Sequence, residues 1–267
     1  MDGIGFSQKL KNNLNSKESK VLAVRSRNLY KPNDVNSFKL SRSKVDNFMS
    51  CKRCFYIDRR LGVGHPPGFP FNINSAVDEL LKKEFDIYRE KQKPHPYMKE
   101  TGKNLIPFQH EMIDEWRENF KGVQYLHKKT NLLFTGAVDD VWFDIDSEEL
   151  VVVDYKATAK NGEVSLDADW QISYKRQMEF YQWLLRKNGF KVSNDGYFVY
   201  CNGDKSEAKF DEKVVFKVSI LKYTGSTRWI ESTIREIKEL LDQDTVPPLN
   251  EECDYCTYTV DVSNVVL

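Results

Sequence analysis

The sequence predicts an α/β domain with a central mixed β-sheet flanked by helices, and three observations carry that expectation. Strand-like runs rich in β-branched and aromatic residues cluster in the middle of the chain: LLFTGAVDDVWF, ELVVVDY, DGYFVYC and KVVFKVSIL. Apolar residues recur at helical spacing around them, in NSAVDELLKKEFDIYREK and WQISYKRQMEFYQWLLRKNG. The 267 residues, 40% hydrophobic, suffice for one large domain or two small ones.

Taken in order, residues 1–36 are polar and predict a flexible N-terminal arm. LSRSKVDNFMSC predicts a short helix, capped by Ser41 or Ser43, that turns Val45, Phe48 and Met49 inward and runs into Cys51. CKRCFYIDRRLGV follows, and then GHPPGFPFN, whose prolines forbid regular structure. From Asn74 a helix places Val77, Leu80, Leu81, Phe85 and Tyr88 on one stripe. A second helix is expected from Pro107 to Phe120. The two strands between Thr135 and Lys156 come next, then a polar loop and a helix stopped by Gly189. Two strands and a helix from Thr227 to Gln243 follow, ahead of VPPLNEECDYC. The expected division is an arm over 1–36, one domain over 37–258 and a tail over 259–267.

Forty basic and forty acidic residues cancel, so no global field announces nucleic acid, although a local basic groove fits within a neutral total. No apolar run approaches the roughly 20 residues that span a bilayer. The first twenty residues lack the apolar core of a signal peptide, so the expected location is cytoplasmic.

The stretch TGAVDDVWFDIDSEELVVVDYK, Thr135 to Lys156, carries the chemistry. Folded symmetrically about Asp146-Ser147, the hairpin sets Asp139 directly across from Asp154 on one face. Lys156, two residues on, points the same way, and Asp140 points to the opposite face. Two carboxylates and an ammonium on one sheet face are costly to assemble unless something uses them. A divalent cation beside a phosphodiester is one user. By spacing alone, an exposed hairpin with ordinary surface charges accounts for them equally well.

The cysteines form two Cys-x-x-Cys pairs, Cys51/Cys54 and Cys253/Cys256, plus a lone Cys201 expected to be a buried strand residue. In a reducing compartment such pairs suggest a four-thiolate site for zinc or an iron–sulfur cluster, stapling the ends of the folded region together. The four histidines, His65, His95, His110 and His127, form no constellation.

Gly136-x-x-Asp139, then Asp154-x-Lys156, then Gln177-x-x-x-Tyr181 resembles the PD-(D/E)xK nuclease superfamily, and more narrowly its RecB-like branch, with its CRISPR-associated and AddB-type exonucleases. The resemblance implies a restriction-endonuclease-like core and hydrolysis of DNA phosphodiesters with Mg²⁺ or Mn²⁺. Asp139, Asp154 and the backbone carbonyl of Tyr155 would hold the cation, and Lys156 would serve as catalytic base or electrostatic partner. Gln177 and Tyr181, on one helix face, would lie near the active site and the DNA backbone. Relatives carry a metal-binding histidine on an earlier helix; here Asp78 stands in its place, a competent hard-metal ligand, with Glu79 and Glu84 as substitutes. The branch often carries a [4Fe–4S] cluster on one early and three late cysteines, whereas this chain has two and two, which leaves zinc open. Candidate DNA-backbone contacts are Lys52, Arg53, Arg59, Arg60, Lys128, Lys129 and Lys160, with Lys175 and Arg176 foremost for their nearness to Gln177. The expected function is thus a DNA nuclease, an exonuclease in recombination, repair or CRISPR adaptation. The alternative is a catalytically silent nucleic-acid-binding module, supported by the aspartate in the histidine's place.

Overall fold

A computed structural model describes residues 24–66, 68 and 72–266, so most of the expected N-terminal arm, residues 1–23, lies outside the described residues. Strand-forming segments build two sheets. The larger runs in the order β2 (Leu105–Pro107), β5 (Asp140–Asp144), β6 (Glu149–Thr158), β7 (Asp195–Gly203) and β8 (Phe216–Thr224). Only the β6–β7 pairing in it is parallel, so the sheet is mixed. The smaller sheet runs β1 (Phe38–Ser41), β4 (Leu132–Gly136), β3 (Val123–His127), with β1 and β4 parallel.

LLFTGAVDDVWF is not one strand. It leaves the smaller sheet after Gly136 and enters the larger at Asp140, and between them Val138 is buried and donates its N–H to the Trp116 carbonyl. β-propensity marks extended backbone but does not name the neighbour with which it pairs. The helix expected over Pro107 to Phe120 is likewise corrected. Leu105–Pro107 is an edge strand against β5, where a proline is tolerated, and Phe108 N–H continues to the Val141 carbonyl. Only α4 (Ile113–Arg117) is helical.

Helices α1 (Arg42–Ser50), α3 (Asn72–Lys91), α5 (Ile172–Lys187) and α6 (Ile230–Asp242) fall where periodicity puts them, and two that the sequence reading did not assign join them, α2 (Lys52–Arg60) and α7 (Asp254–Val266). The last runs through most of the stretch expected as a tail. One face of the large sheet, with Leu150, Val152, Phe198 and Tyr200, packs on α5 and through it on α1 and α6. The other, with Trp142, Val151, Val153, Tyr155, Tyr197 and Val199, packs on Leu81 and Phe85 of α3. With both faces covered, β6 reads as a nearly continuous apolar run. Leu80 and Met49, expected inward, are exposed, because each helix meets its neighbour along a narrower stripe than its apolar pattern offers.

Ahead of the sheets, buried Asp58 on α2 accepts from Arg25, Lys44 and Arg59. Burial pushes its carboxyl up, but Arg59 and Lys44 outweigh that and lower it to about 2. A depressed acid stabilises the fold above its unfolded value, near 4, and loses that contribution as pH falls through the folded value. The gap corresponds to about 2 kcal/mol. We expect Asp58→Asn to melt below the wild type at pH 7 and the two melting temperatures to converge between about pH 4 and pH 2. A gap that stays constant on acidification would remove the Asp58 charge from the account.

Candidate active site

The hairpin register is as the alternation predicts. Asp140 pairs with Val153, Val141 with Val152 and Trp142 with Val151, and one step further places Asp139 across from Asp154. A polar turn between two apolar runs leaves one register that keeps the core covered. Asp139 accepts the Tyr155 N–H at 2.8 Å. Asp154 is fully buried, and neither of its carboxylate oxygens has a hydrogen-bond partner; the Lys156 ammonium presses on Oδ2 as an ion pair. Burial, then the Asp154 charge, pushes Asp139 up to about 7. Burial pulls Lys156 down, yet Asp154 and Asp139 outweigh it and raise the ammonium above its usual value. Lys156 therefore holds its proton and stands as a cation, 4.5 Å from the centre of the Tyr174 ring.

Asp139 and Lys156 open on a cleft of about 360 Å³, with Asp154 buried behind them, and the cleft is lined by Arg42, Asn74, Ser75, Val77, Asp78, Asp139, Tyr155, Lys156, Ala157, Tyr174 and Gln177. Helix α3 brings Asp78 in. Burial and the Asp139 charge raise its carboxyl, and Lys82 holds it at 2.8 Å. The two substitutes are engaged elsewhere: Glu79 pairs with Lys83, and Glu84 meets His95 Nε2 at 2.9 Å. The donor set suits a hard divalent cation. Asp154 offers two buried oxygens, Oδ1 without a donor and Oδ2 met by Lys156, and Asp139 offers a third carboxylate oxygen beside them.

Behind the cleft, Asp140 does turn to the other face, into a buried ionic knot. It accepts from Arg89, from Arg117 at 2.8 Å, from the Val141 N–H at 2.8 Å and from the Tyr155 hydroxyl at 2.8 Å. Burial raises its carboxyl, but Arg89 and then Arg117 outweigh this and hold it below the ordinary value. Tyr155 is thereby gripped at both ends, its hydroxyl by Asp140 and its N–H by Asp139.

Helix α5 crosses the site closely. Gln177 donates to the Tyr181 hydroxyl at 3.0 Å, and a Cβ added at Gly136 would lie 2.7 Å from the Tyr181 ring and 3.0 Å from Leu184. The glycine of Gly-x-x-Asp is thus a matter of space. Gly136→Ala is expected to cost about 1–3 kcal/mol by overpacking, seen as a lower denaturant midpoint. An unchanged midpoint would show that α5 yields freely.

Of the foremost basic candidates, neither lines the cleft: Arg176 pairs with Asp46 at 3.3 Å, and Lys175 stands over the Tyr223 ring. On α2, Lys52 pairs with Glu236, Arg53 donates to the Pro247 carbonyl, Arg59 binds Asp58 and Arg60 binds Asp244. The guanidinium that does line the cleft is Arg42, which sequence reasoning missed. Its Nε is buried without a partner, and it makes no ion pair among the described residues. A trace of it is in the sequence: a cation at the first position of a helix opposes the macrodipole unless an anion joins it.

A larger cavity of about 770 Å³ lies between the loop after β6 and the β7–β8 hairpin, lined by Lys160, Asn202, Asp204 and Lys217 among others. Its Asp204 is committed to Lys217 and Ser206. The smaller cleft is the one that Asp78, Asp139 and Lys156 line together, with Asp154 buried against Lys156, so it is the candidate site.

The cysteines meet at the opposite end of α1. Each Cys-x-x-Cys begins a helix: Cys51 precedes α2, with the Cys54 N–H on its sulfur at 3.4 Å, and Cys253 precedes α7. All four sulfurs lie within 4.8 Å of one another; Cys51–Cys256 and Cys54–Cys253 are at 3.7 Å and Cys54–Cys256 at 3.8 Å. Burial foremost pushes Cys51 and Cys54 up. For Cys253, burial is outweighed by the Cys256 N–H and by Cys54, and the thiol is lowered. Four thiols drawn this close together, two buried and two half-buried, fit a site closed by a cation. Cys201 is a buried strand residue, as expected.

Among solved structures, the chain is similar to a crystal structure of SSO0001, at 14% identity and a TM-score of 0.38, over 95% of this chain and 91% of that one. No curated protein matches it. The family model of the PD-(D/E)XK nuclease superfamily matches residues 72–260, which takes in α3, the hairpin, α5 and the second cysteine pair. The chain belongs to the PD-(D/E)XK nuclease superfamily.

Proposed function

We propose that the chain is a metal-dependent deoxyribonuclease acting as an exonuclease on DNA ends, in repair, recombination or CRISPR adaptation. The observation that carries this reading is Asp154, a fully buried carboxylate held by no donor but the Lys156 ammonium at Oδ2, set across from Asp139. Asp139, Asp154 and the Tyr155 carbonyl would hold Mg²⁺ or Mn²⁺, with Asp78 beside them. When bound, such an ion lowers the pKa of a water and offsets charge on the phosphate. Lys156 acts as a fixed cation toward developing negative charge rather than as a base. Arg42 takes a non-bridging phosphate oxygen from the opposite wall, and Gln177 and Tyr181 orient the strand's backbone. Lys175 and Arg176 are the next backbone contacts, outside the cleft.

For the thiolates we propose one zinc ion. Zinc binds thiolate at ~2.3 Å, so the edge of its tetrahedron is about 3.8 Å. Three of the six sulfur separations, at 3.7–3.8 Å, match that edge, and all six lie within 4.8 Å, which supports that ion. A [4Fe–4S] cluster seats each thiolate on a separate iron and needs them wider apart.

The test is release of nucleotides from end-labelled linear DNA by the purified chain with Mg²⁺ or Mn²⁺, against EDTA, with closed circular DNA as the comparison for end dependence. Lys156→Ala should lose about two to three orders of magnitude, and full activity in that variant overturns the assignment. One observation favours the silent module: Asp78, in the place of the family's histidine, is held by Lys82. DNA binding that persists in EDTA without cleavage under any divalent ion decides for it.

A further inference from the structure

The lip of the cleft carries an aromatic pair that the chemistry above leaves unused. The 3₁₀ turn Asp169–Gln171 leads into α5 and leaves the Trp170 side chain 61% exposed. Its ring meets Tyr174 edge-on, with centroids 5.3 Å apart and planes at 83°. Tyr174 lines the cleft, and the Lys156 ammonium lies against its ring. Ile172, between the two aromatics in sequence, is exposed as well.

The turn does not need the indole. Gln171 holds it, donating to the Ser165 carbonyl at 2.7 Å and accepting the Ala168 N–H at 3.0 Å. A tryptophan displayed to water at the edge of a charged cleft forfeits its burial energy unless a ligand covers it. The neighbouring chemistry names the ligand. On the nuclease reading the cleft takes a phosphate between Arg42 and Lys156, and what lies one step from a phosphate in DNA is a base with a π-face. Inside a duplex both faces of a base are covered by its neighbours. Only an unpaired or terminal base has a face free to stack.

We propose that Trp170, steadied edge-on by Tyr174, is a stacking shelf for an unpaired nucleobase next to the scissile phosphate, and that it makes the cleft prefer single-stranded or frayed ends over paired ones. The proposal rests on the nuclease reading for the position of the phosphate, and its test separates the two. Binding of fluorescein-labelled oligothymidylate in EDTA is read by anisotropy, beside KM and kcat for the same strand with Mg²⁺ or Mn²⁺. A strand carrying a tract of abasic sites is the comparison. Trp170→Ala should weaken oligothymidylate binding, and raise KM, by about tenfold with kcat little changed. Trp170→Phe, which keeps a ring, should recover most of that loss. On the abasic strand the wild type should already be weakened, with no further loss in Trp170→Ala.

Equal losses on both strands, or none on either, overturn the shelf. Cleavage intact in the wild type with KM unmoved in Trp170→Ala sinks the shelf alone. Base-dependent binding through Trp170 without cleavage under any metal sinks the nuclease reading alone. A wild type that neither binds nor cleaves overturns both. Because Trp170 is exposed, both variants keep the core intact.

Discussion

Asp154→Asn is expected to lower DNA cleavage by about a thousandfold, on the order of 4 kcal/mol of transition-state stabilisation, while making the metal-free protein more stable. The two effects have one cause. Without a cation, the base of the cleft holds a buried and a half-buried carboxylate against one ammonium, and the charge in excess shows as an Asp139 carboxyl pushed up to about 7, by burial first and by Asp154 second. Asp154 Oδ1 has no hydrogen bond to repay its loss of water, and Oδ2 has only the Lys156 ammonium. An amide at that position removes the negative charge in excess and leaves Lys156 facing Asp139 as a neutral pair. Removing one partner of a buried ion pair usually destabilises by several kcal/mol, but here the remaining cation keeps a second anion. We expect a gain of about 1–2 kcal/mol in the metal-free state, measured by denaturant unfolding in EDTA. Added Mn²⁺ should stabilise the wild type and leave the variant unmoved. A variant that loses both activity and stability would make Asp154 a structural residue, and one that keeps its activity would remove the carboxylate pair from the mechanism.

The same pair shows what can be read from a sequence of this kind. Asp139 across from Asp154 was legible, because a period of two and a polar turn leave a single register that covers the core. Lys156 followed from that register, and Gln177 and Tyr181 from the four-residue spacing of a helix. The meeting of the four cysteines was legible from their chemistry, since thiols in Cys-x-x-Cys pairs have few other uses. What escaped was interaction across long sequence separations. Asp140 binds Arg89 and Arg117, 51 and 23 residues away, and nothing local marks those arginines as its partners. Arg42 was hidden for the same reason. Its role depends on α1 packing beside α5 across a cleft, whereas Arg176, adjacent to Gln177 in sequence, is turned away to Asp46. The strand run through Gly136 looked continuous because the corner is set by the bulk of Tyr181, on a helix about 40 residues later.

Cys54→Ser is expected to lose the bound metal and to lower the melting temperature by roughly 10 °C. The thiolates join segments about 200 residues apart in sequence, so the closed loop is among the longest this chain allows. In a chain-entropy account, releasing a closure of that length costs about 5 kcal/mol, and in a protein of this size each kcal/mol corresponds to about 2–4 °C. Part of the closure survives without metal. Arg53 still reaches the Pro247 carbonyl, the Tyr56 hydroxyl reaches the Gln243 carbonyl and Asn250 reaches Ser50, and these hold the lower end of the expected fall. The burial of Cys51 and Cys54 adds a second consequence. Metal-free thiols there resist ionisation, so uptake must displace their protons and should strengthen as pH rises. Elemental analysis should find one zinc per chain in a colourless protein. Four irons with the broad visible absorption of a cluster would overturn the single-ion site, and the spacing of the sulfurs with it. DNA cleavage should fall with the melting curve rather than with the metal itself, because the carboxylate cleft lies apart from the thiolates, and at a temperature where Cys54→Ser is folded its kcat should match the wild type. A kcat lost at full folding would make the zinc part of the active site rather than a staple of the fold that carries it.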